Sequence, residues 1–232
     1  MEAEDDRQFV KYSFYQVAPE WRRLDPETKA RGKREVVAVI SELSERMMIR
    51  PYVLTGTRAD SDFFLWTVAL GLEDLQTLAT RIYSTHMGGY LSTPHSFLAM
   101  TRKSQYIDRH SHENQEGKRL KIQPVGSKYL FVYPFVKTRD WYLLPLKERQ
   151  AMMDTHIKVG HKYPRVRINT SYSFGLDDQD FVVSFESDHP GDFLDLVMEL
   201  RETKASKHTV RDTPIFTGIS MGIDETLDAL GD

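Results

Sequence analysis

Apolar side chains gather in two strand-like runs, Phe9–Val17 and Tyr129–Lys137, both rich in aromatic and β-branched residues. The first leads to Trp21, a Leu-Asp-Pro helix start at residues 24–26, and a helical period through Val36, Val39, Ile40, Leu43 and Met47. The second leads to Trp141, a Leu-Pro start at residues 144–145, and a helical period through Met152, Met153, His156 and Val159. Further along each half, a second strand pattern opens on Asp-Phe and precedes a helix: residues 62–70 before 73–81, and residues 180–186 before 192–201. The tryptophans lie 120 residues apart and the Asp-Phe pairs 118 apart, so the chain is written twice.

The repeated order of strand, helix, strand, strand, helix, strand predicts an α+β fold of two ferredoxin-like repeats. One repeat spans residues 1–115 and the other residues 119–232. Each should form a four-stranded antiparallel sheet with helices on one face. Two such sheets can cover each other's open faces, giving a dimeric α+β barrel within one chain. Between the repeats, residues 103–128 are polar and read as a long loop, of the kind that is functional or disordered in compact proteins.

Composition narrows the function. With 232 residues, 40% hydrophobic and 28% charged, the chain suits a globular protein with a sizeable core. Its 31 basic and 34 acidic residues are interspersed, which argues against nucleic acid or a membrane surface as partner. No apolar run approaches the roughly 18 residues of a membrane span. The acidic opening, Met1 to Asp6, is unlike a signal peptide, and a cytoplasmic location is expected. The absence of cysteine removes disulfides, thiolate nucleophiles and cysteine-ligated metal centres. Phosphate-binding loops, dinucleotide fingerprints, nucleophile elbows and HExxH helices are also missing.

The remaining chemistry lies around the second repeat, and each residue has two open readings. His156 is either a satisfied core histidine or an axial ligand to haem iron, with Gly160 leaving space for a flat ring. Tyr133 is either a core tyrosine or a phenol aimed into a cavity where Pro134 interrupts the ladder. Lys137 shares its strand face; it either extends to water or meets an anion. Arg119, with Lys118 and Lys121, is either a solvated charge run or a lip for carboxylates. Asp108, His110, His112 and Glu113 look like a metal cluster, although no helical frame supports them.

Taken together, Tyr129-Leu-Phe-Val-Tyr-Pro-Phe-Val-Lys137, Trp141-Tyr-Leu-Leu-Pro145, the His156 helix, Gly175-Leu-Asp-Asp178 and Asp212-Thr-Pro-Ile-Phe-Thr-Gly218 resemble the chlorite dismutase-like superfamily, which includes the coproheme decarboxylases. The resemblance is densest over residues 119–220 and implies haem or coproheme in the second repeat and a homopentameric assembly. It implies His156 as the iron ligand and Tyr133 as the tyrosine whose radical takes hydrogen from a propionate. Lys137 would stand beside the second reacting propionate, with Trp141 and Arg119 on the propionate side. Chlorite dismutases carry a distal arginine on the strand after the haem helix. Here an ungapped count gives Asn169, a shorter amide, and a one-residue gap gives Ile168 on the other face. The glutamate that pairs with the axial histidine falls at Lys204 or Ala205, neither a carboxylate. Both departures point away from chlorite chemistry. The expected activity is peroxide-dependent oxidative decarboxylation of coproheme to haem b, with hydrogen peroxide as oxidant. A haem-binding protein without turnover and, further off, a chlorite dismutase are the alternatives.

Overall fold

The computed structural model describes residues 7–106 and 121–231. The elements run β1 (Phe9–Val17), α1 (Pro26–Leu43), β2 (Met48–Val53), β3 (Phe63–Ala69), α2 (Leu72–Tyr83), β4 (Leu91–Met100), β5 (Tyr129–Lys137), α3 (Arg139–Leu143), α4 (Leu146–Gly160), β6 (Arg167–Tyr172), β7 (Phe181–Ser187), α5 (Pro190–Arg201), β8 (Thr209–Arg211), β9 (Phe216–Ser220) and α6 (Ile223–Asp228). They form two compact units, residues 1–98 with 216–232, and residues 99–215. This division differs from the halves expected from sequence, because the C-terminal segment returns to the first unit. There β9 pairs with β2 through Tyr52 opposite Ser220 and Val53 opposite Ile219. Leu227 and Leu230 then complete the core of that unit.

In the first unit the strands lie in the order β4-β1-β3-β2-β9, whose first four follow the ferredoxin-like arrangement. Asp25 caps α1 by accepting from the Thr28 N–H at 2.9 Å, and Pro26 follows at the position where a missing N–H costs nothing. The helix buries Val36, Val39, Ile40 and Leu43 against Tyr15, Trp21, Phe63 and Leu65. Gly32 permits this approach, since a Cβ there would stand 2.8 Å from the Trp21 ring. All seven residues of β3 are buried, so both of its faces are covered.

The second unit repeats the plan with the order β6-β7-β5, and β8 pairs with the far edge of β5. Phe131 and Tyr133 of β5 and Val183 and Phe185 of β7 form one sheet face, on which Phe193 and Leu196 of α5 pack. Val159 at the end of α4, with Tyr163 beyond it, packs on the same face.

The duplication reaches individual hydrogen bonds. In the first unit Asp62 accepts from the Val17 N–H at 2.8 Å and donates its own N–H to the Tyr15 carbonyl at 2.8 Å. In the second, Asp180 accepts from the Lys137 N–H at 2.9 Å and donates to the Phe135 carbonyl at 3.1 Å. An aspartate thus clasps the end of the first strand in both units, which explains the recurrent Asp-Phe pair.

The first helices of the two repeats differ. Counting on 120 residues, Val36, Val39 and Ile40 correspond to His156, Val159 and Gly160. Whereas α1 buries its apolar stripe, α4 buries none of its residues. Among the described residues a Cβ added at Gly160 meets nothing within 4 Å, although its counterpart Ile40 is core. Among those residues the second unit is open where the first is filled.

Candidate functional site

The open face of α4 carries His156, flanked by the half-buried Met152, Met153, Val159 and Gly160. Burial first, and the positive charge of Lys137 second, push the His156 imidazole down to about 4. It is therefore neutral at physiological pH, with a lone pair available to a metal. Among the described residues no side chain or carbonyl hydrogen-bonds to the ring. A neutral imidazole on an apolar face that the described residues leave unfilled is able to ligate a metal.

Lys137 ends β5 where a bulge separates it from Val136 in the pairing with β8. Its Nζ donates to the Ala205 carbonyl at 2.7 Å and lies 4.5 Å from the centre of the Trp141 ring. Burial pushes its amine down to about 8, so it remains largely charged at neutral pH. Its backbone is fixed by Asp180, which also accepts from the Tyr142 hydroxyl at 2.7 Å. Ala205 is one of the two positions, with Lys204, at which the sequence lacks the expected glutamate, and its backbone oxygen receives the lysine. Trp141 is buried as the floor beneath Lys137, with the His208 ring 5.4 Å away and Tyr106 6.3 Å away.

Tyr133 projects from β5 onto the sheet face covered by α5 and the end of α4. It is 8% exposed, and its ring stacks on Phe185 with centroids 6.0 Å apart. Burial first, then the nearby Asp212 carboxylate, raise the phenol well above its ordinary value, against the opposing charge of Arg201. Among the described residues its hydroxyl has no hydrogen-bond partner. Arg201 and Asp212 also border a cavity of about 280 Å³ together with Ser206, Thr209 and Val210. From sequence only Asp212 of this group stood out, at the start of the motif that runs to Gly218, because the members are spread from the end of α5 through the following turn to just past β8.

Asn169 does not join the site. Its β6 neighbour Ile168 lies opposite Phe185 and packs on the face of Tyr133, so Asn169 points the other way. Only 4% exposed, it donates to the buried Glu186 carboxylate at 3.0 Å. Glu186 also accepts from the N–H groups of Val125 and Gly126 at 3.0 and 2.9 Å. The ungapped count thus lands on the sheet face opposite Tyr133, and the one-residue gap on Ile168 lands on its own face. Asn169 thus helps hold the carboxylate that ties down the segment before β5. Arg119 and the Asp108, His110, His112 and Glu113 group lie outside the described residues.

The structure thus brings His156, Lys137 and Trp141 together, with Tyr133 on the same side of the sheet. In the ligand-free protein, His156 is expected to titrate near pH 4 when its ring proton is followed by NMR. Lys137→Met should raise that midpoint, because a positive neighbour disfavours the imidazolium. A midpoint near the ordinary value of about 6.5 would contradict the desolvation and the Lys137 charge acting on this half-buried ring.

Comparison with known proteins identifies the class. The family model for chlorite dismutase matches residues 29–221. A solved mutant chlorite dismutase from Candidatus Nitrospira defluvii superposes with a TM-score of 0.88 over 99% of this chain and 98% of that one, at 24% identity. A haem-binding protein from Thermus thermophilus superposes at 0.84 over 96% of this chain and 94% of that one, at 25% identity. The expected α+β fold of two ferredoxin-like repeats is therefore the fold of this protein. The chain belongs to the chlorite dismutase family. It is 34% identical to the coproheme decarboxylase of Mycolicibacterium smegmatis over 180 residues, which are 77% of this chain and 75% of that one. It is 27% identical to the chlorite dismutase of Ideonella dechloratans over 206 residues, 88% of this chain and 72% of that one.

Proposed function

We propose that this protein oxidatively decarboxylates coproheme to haem b, with hydrogen peroxide as oxidant and Tyr133 as the hydrogen-atom relay. The observation that carries the reading is the neutral, unpartnered imidazole of His156 on the open face of α4, beside the sheet face that bears Tyr133. The similarity to a coproheme decarboxylase agrees with it. So does Ile168, which occupies the face of β6 where chlorite-splitting relatives would need an arginine.

The residues fit a tetrapyrrole. His156 would hold the iron, and Met152, Met153, Val159 and Gly160 would lie against the ring. Bound iron supplies the means of passing electrons to peroxide. The protein's part is to direct that oxidation to one position. Tyr133 stays protonated across the physiological range, so it gives up its electron and proton together. The phenoxyl radical then regains a hydrogen atom from the propionate, which loses a second electron and releases carbon dioxide to leave a vinyl group. Each propionate yields two electrons and one proton; one peroxide takes up those electrons with two protons and becomes water. Lys137, held over Trp141, offers its positive charge to a propionate.

Coproheme titration followed by stepwise peroxide, read by absorbance and product mass, tests this directly. The expected result is loss of two carboxyl groups at about one peroxide each. Binding without any loss of mass would favour a second reading, a haem-binding protein without turnover. The packing of Tyr133 among Phe131, Phe185 and Phe193 gives that alternative its support.

A further inference from the structure

Resting on the proposed function, we infer that Arg149 is a carboxylate-binding residue at the rim of the tetrapyrrole site. Arg149 is on α4, seven residues before His156. At 100° per residue this spacing brings it within about 20° of His156 around the helix and about 10 Å along the axis. The two side chains therefore share one stripe, with Met152 and Met153 between them.

A flat ring whose metal was held by His156 would lie across that bond, and so along the helix surface. The methionines would then meet its face. A residue two helical turns away, roughly 10 Å along the axis, meets the perimeter, where the acid side chains hang. Arg149 supplies the charge they require, and among the described residues no side chain engages it. Among the described residues no acid pairs with it, and its Nε is buried without a hydrogen-bond partner. The other α4-side arginine at hand, Arg165, is occupied by a two-point pair with Asp192 at 2.7 Å. A half-buried guanidinium with a sequestered, unsatisfied N–H and no counter-charge is costly unless an anion completes it. A propionate does so, with the fork geometry that arginine favours.

The test compares dissociation constants for iron coproporphyrin and for its tetramethyl ester, in wild type, Arg149→Gln and Arg149→Lys, by Soret titration. Arg149→Gln should weaken the free acid about tenfold or more and leave the ester unchanged. Arg149→Lys should recover part of the loss, since it restores charge without the fork. Equal weakening of acid and ester would mean a packing role and would overturn the inference, as would wild-type affinity for the acid in Arg149→Gln. A wild-type protein that binds neither ligand would bring down the proposed function and this inference together. A wild type that binds, with Arg149→Gln unchanged, would remove the Arg149 assignment alone.

Discussion

His156→Ala is expected to keep the fold and lose metal-linked binding of coproheme. The side chain lies on a helix that buries none of its residues, so its removal opens no cavity in the core. It has no hydrogen-bond partner among the described residues, so nothing is orphaned. The loss in affinity should exceed the roughly 10–100-fold that an outer-shell partner of a metal ligand is worth. Added imidazole should enter the vacated space and restore the Soret position. Retention of the wild-type Soret band in the variant, without imidazole, would show that the iron is held elsewhere.

Tyr133→Phe should bind coproheme as the wild type does and yield no haem b when peroxide is added. Two features make this substitution clean. The ring keeps its stacking on Phe185 and its place among Phe131 and Phe193, so the packing is conserved. The hydroxyl has no partner among the described residues, so its loss leaves no buried donor or acceptor unmet. What disappears is the O–H that the proposed relay requires. Mass spectrometry after titration should therefore find only the four-acid porphyrin. Product at the wild-type rate would remove Tyr133 from the mechanism while leaving the binding site standing.

Much of this architecture was legible in the sequence because duplication amplifies weak signals. Phe9–Val17 and Tyr129–Lys137 are strands with the bounds the apolar runs suggested. The Asp-Phe pairs mark real clasps at strand ends. The unit boundary was not legible, since β9 joins β2 through backbone hydrogen bonds that leave no local trace in side-chain pattern. Asn169 shows the other limit. Strand faces alternate at every residue, so an alignment gap of one converts a buried structural amide into an apparent site residue. Had Glu186 been recognised as a buried carboxylate needing donors, Asn169 would have been an obvious candidate for one of them. Arg149 went unnoticed because a charged residue early in a helix is ordinarily solvated. Arg167 shares a buried, unsatisfied Nε with it, and only the combination of that Nε with a place on the His156 stripe of α4 distinguishes Arg149.

The contrast between the filled α1 and the open α4 separates two demands that conflict in any single small domain. A tightly packed interior favours folding, while a guest molecule needs room that packing would otherwise close. Here one copy of the repeated module carries the packed interior and the other keeps the room that the proposed guest would need. Val36 and Ile40 keep the first repeat closed, and the histidine and glycine at the matching places hold the second ajar. Such a division of labour lets changes accumulate in the host copy without eroding the framework supplied by its twin.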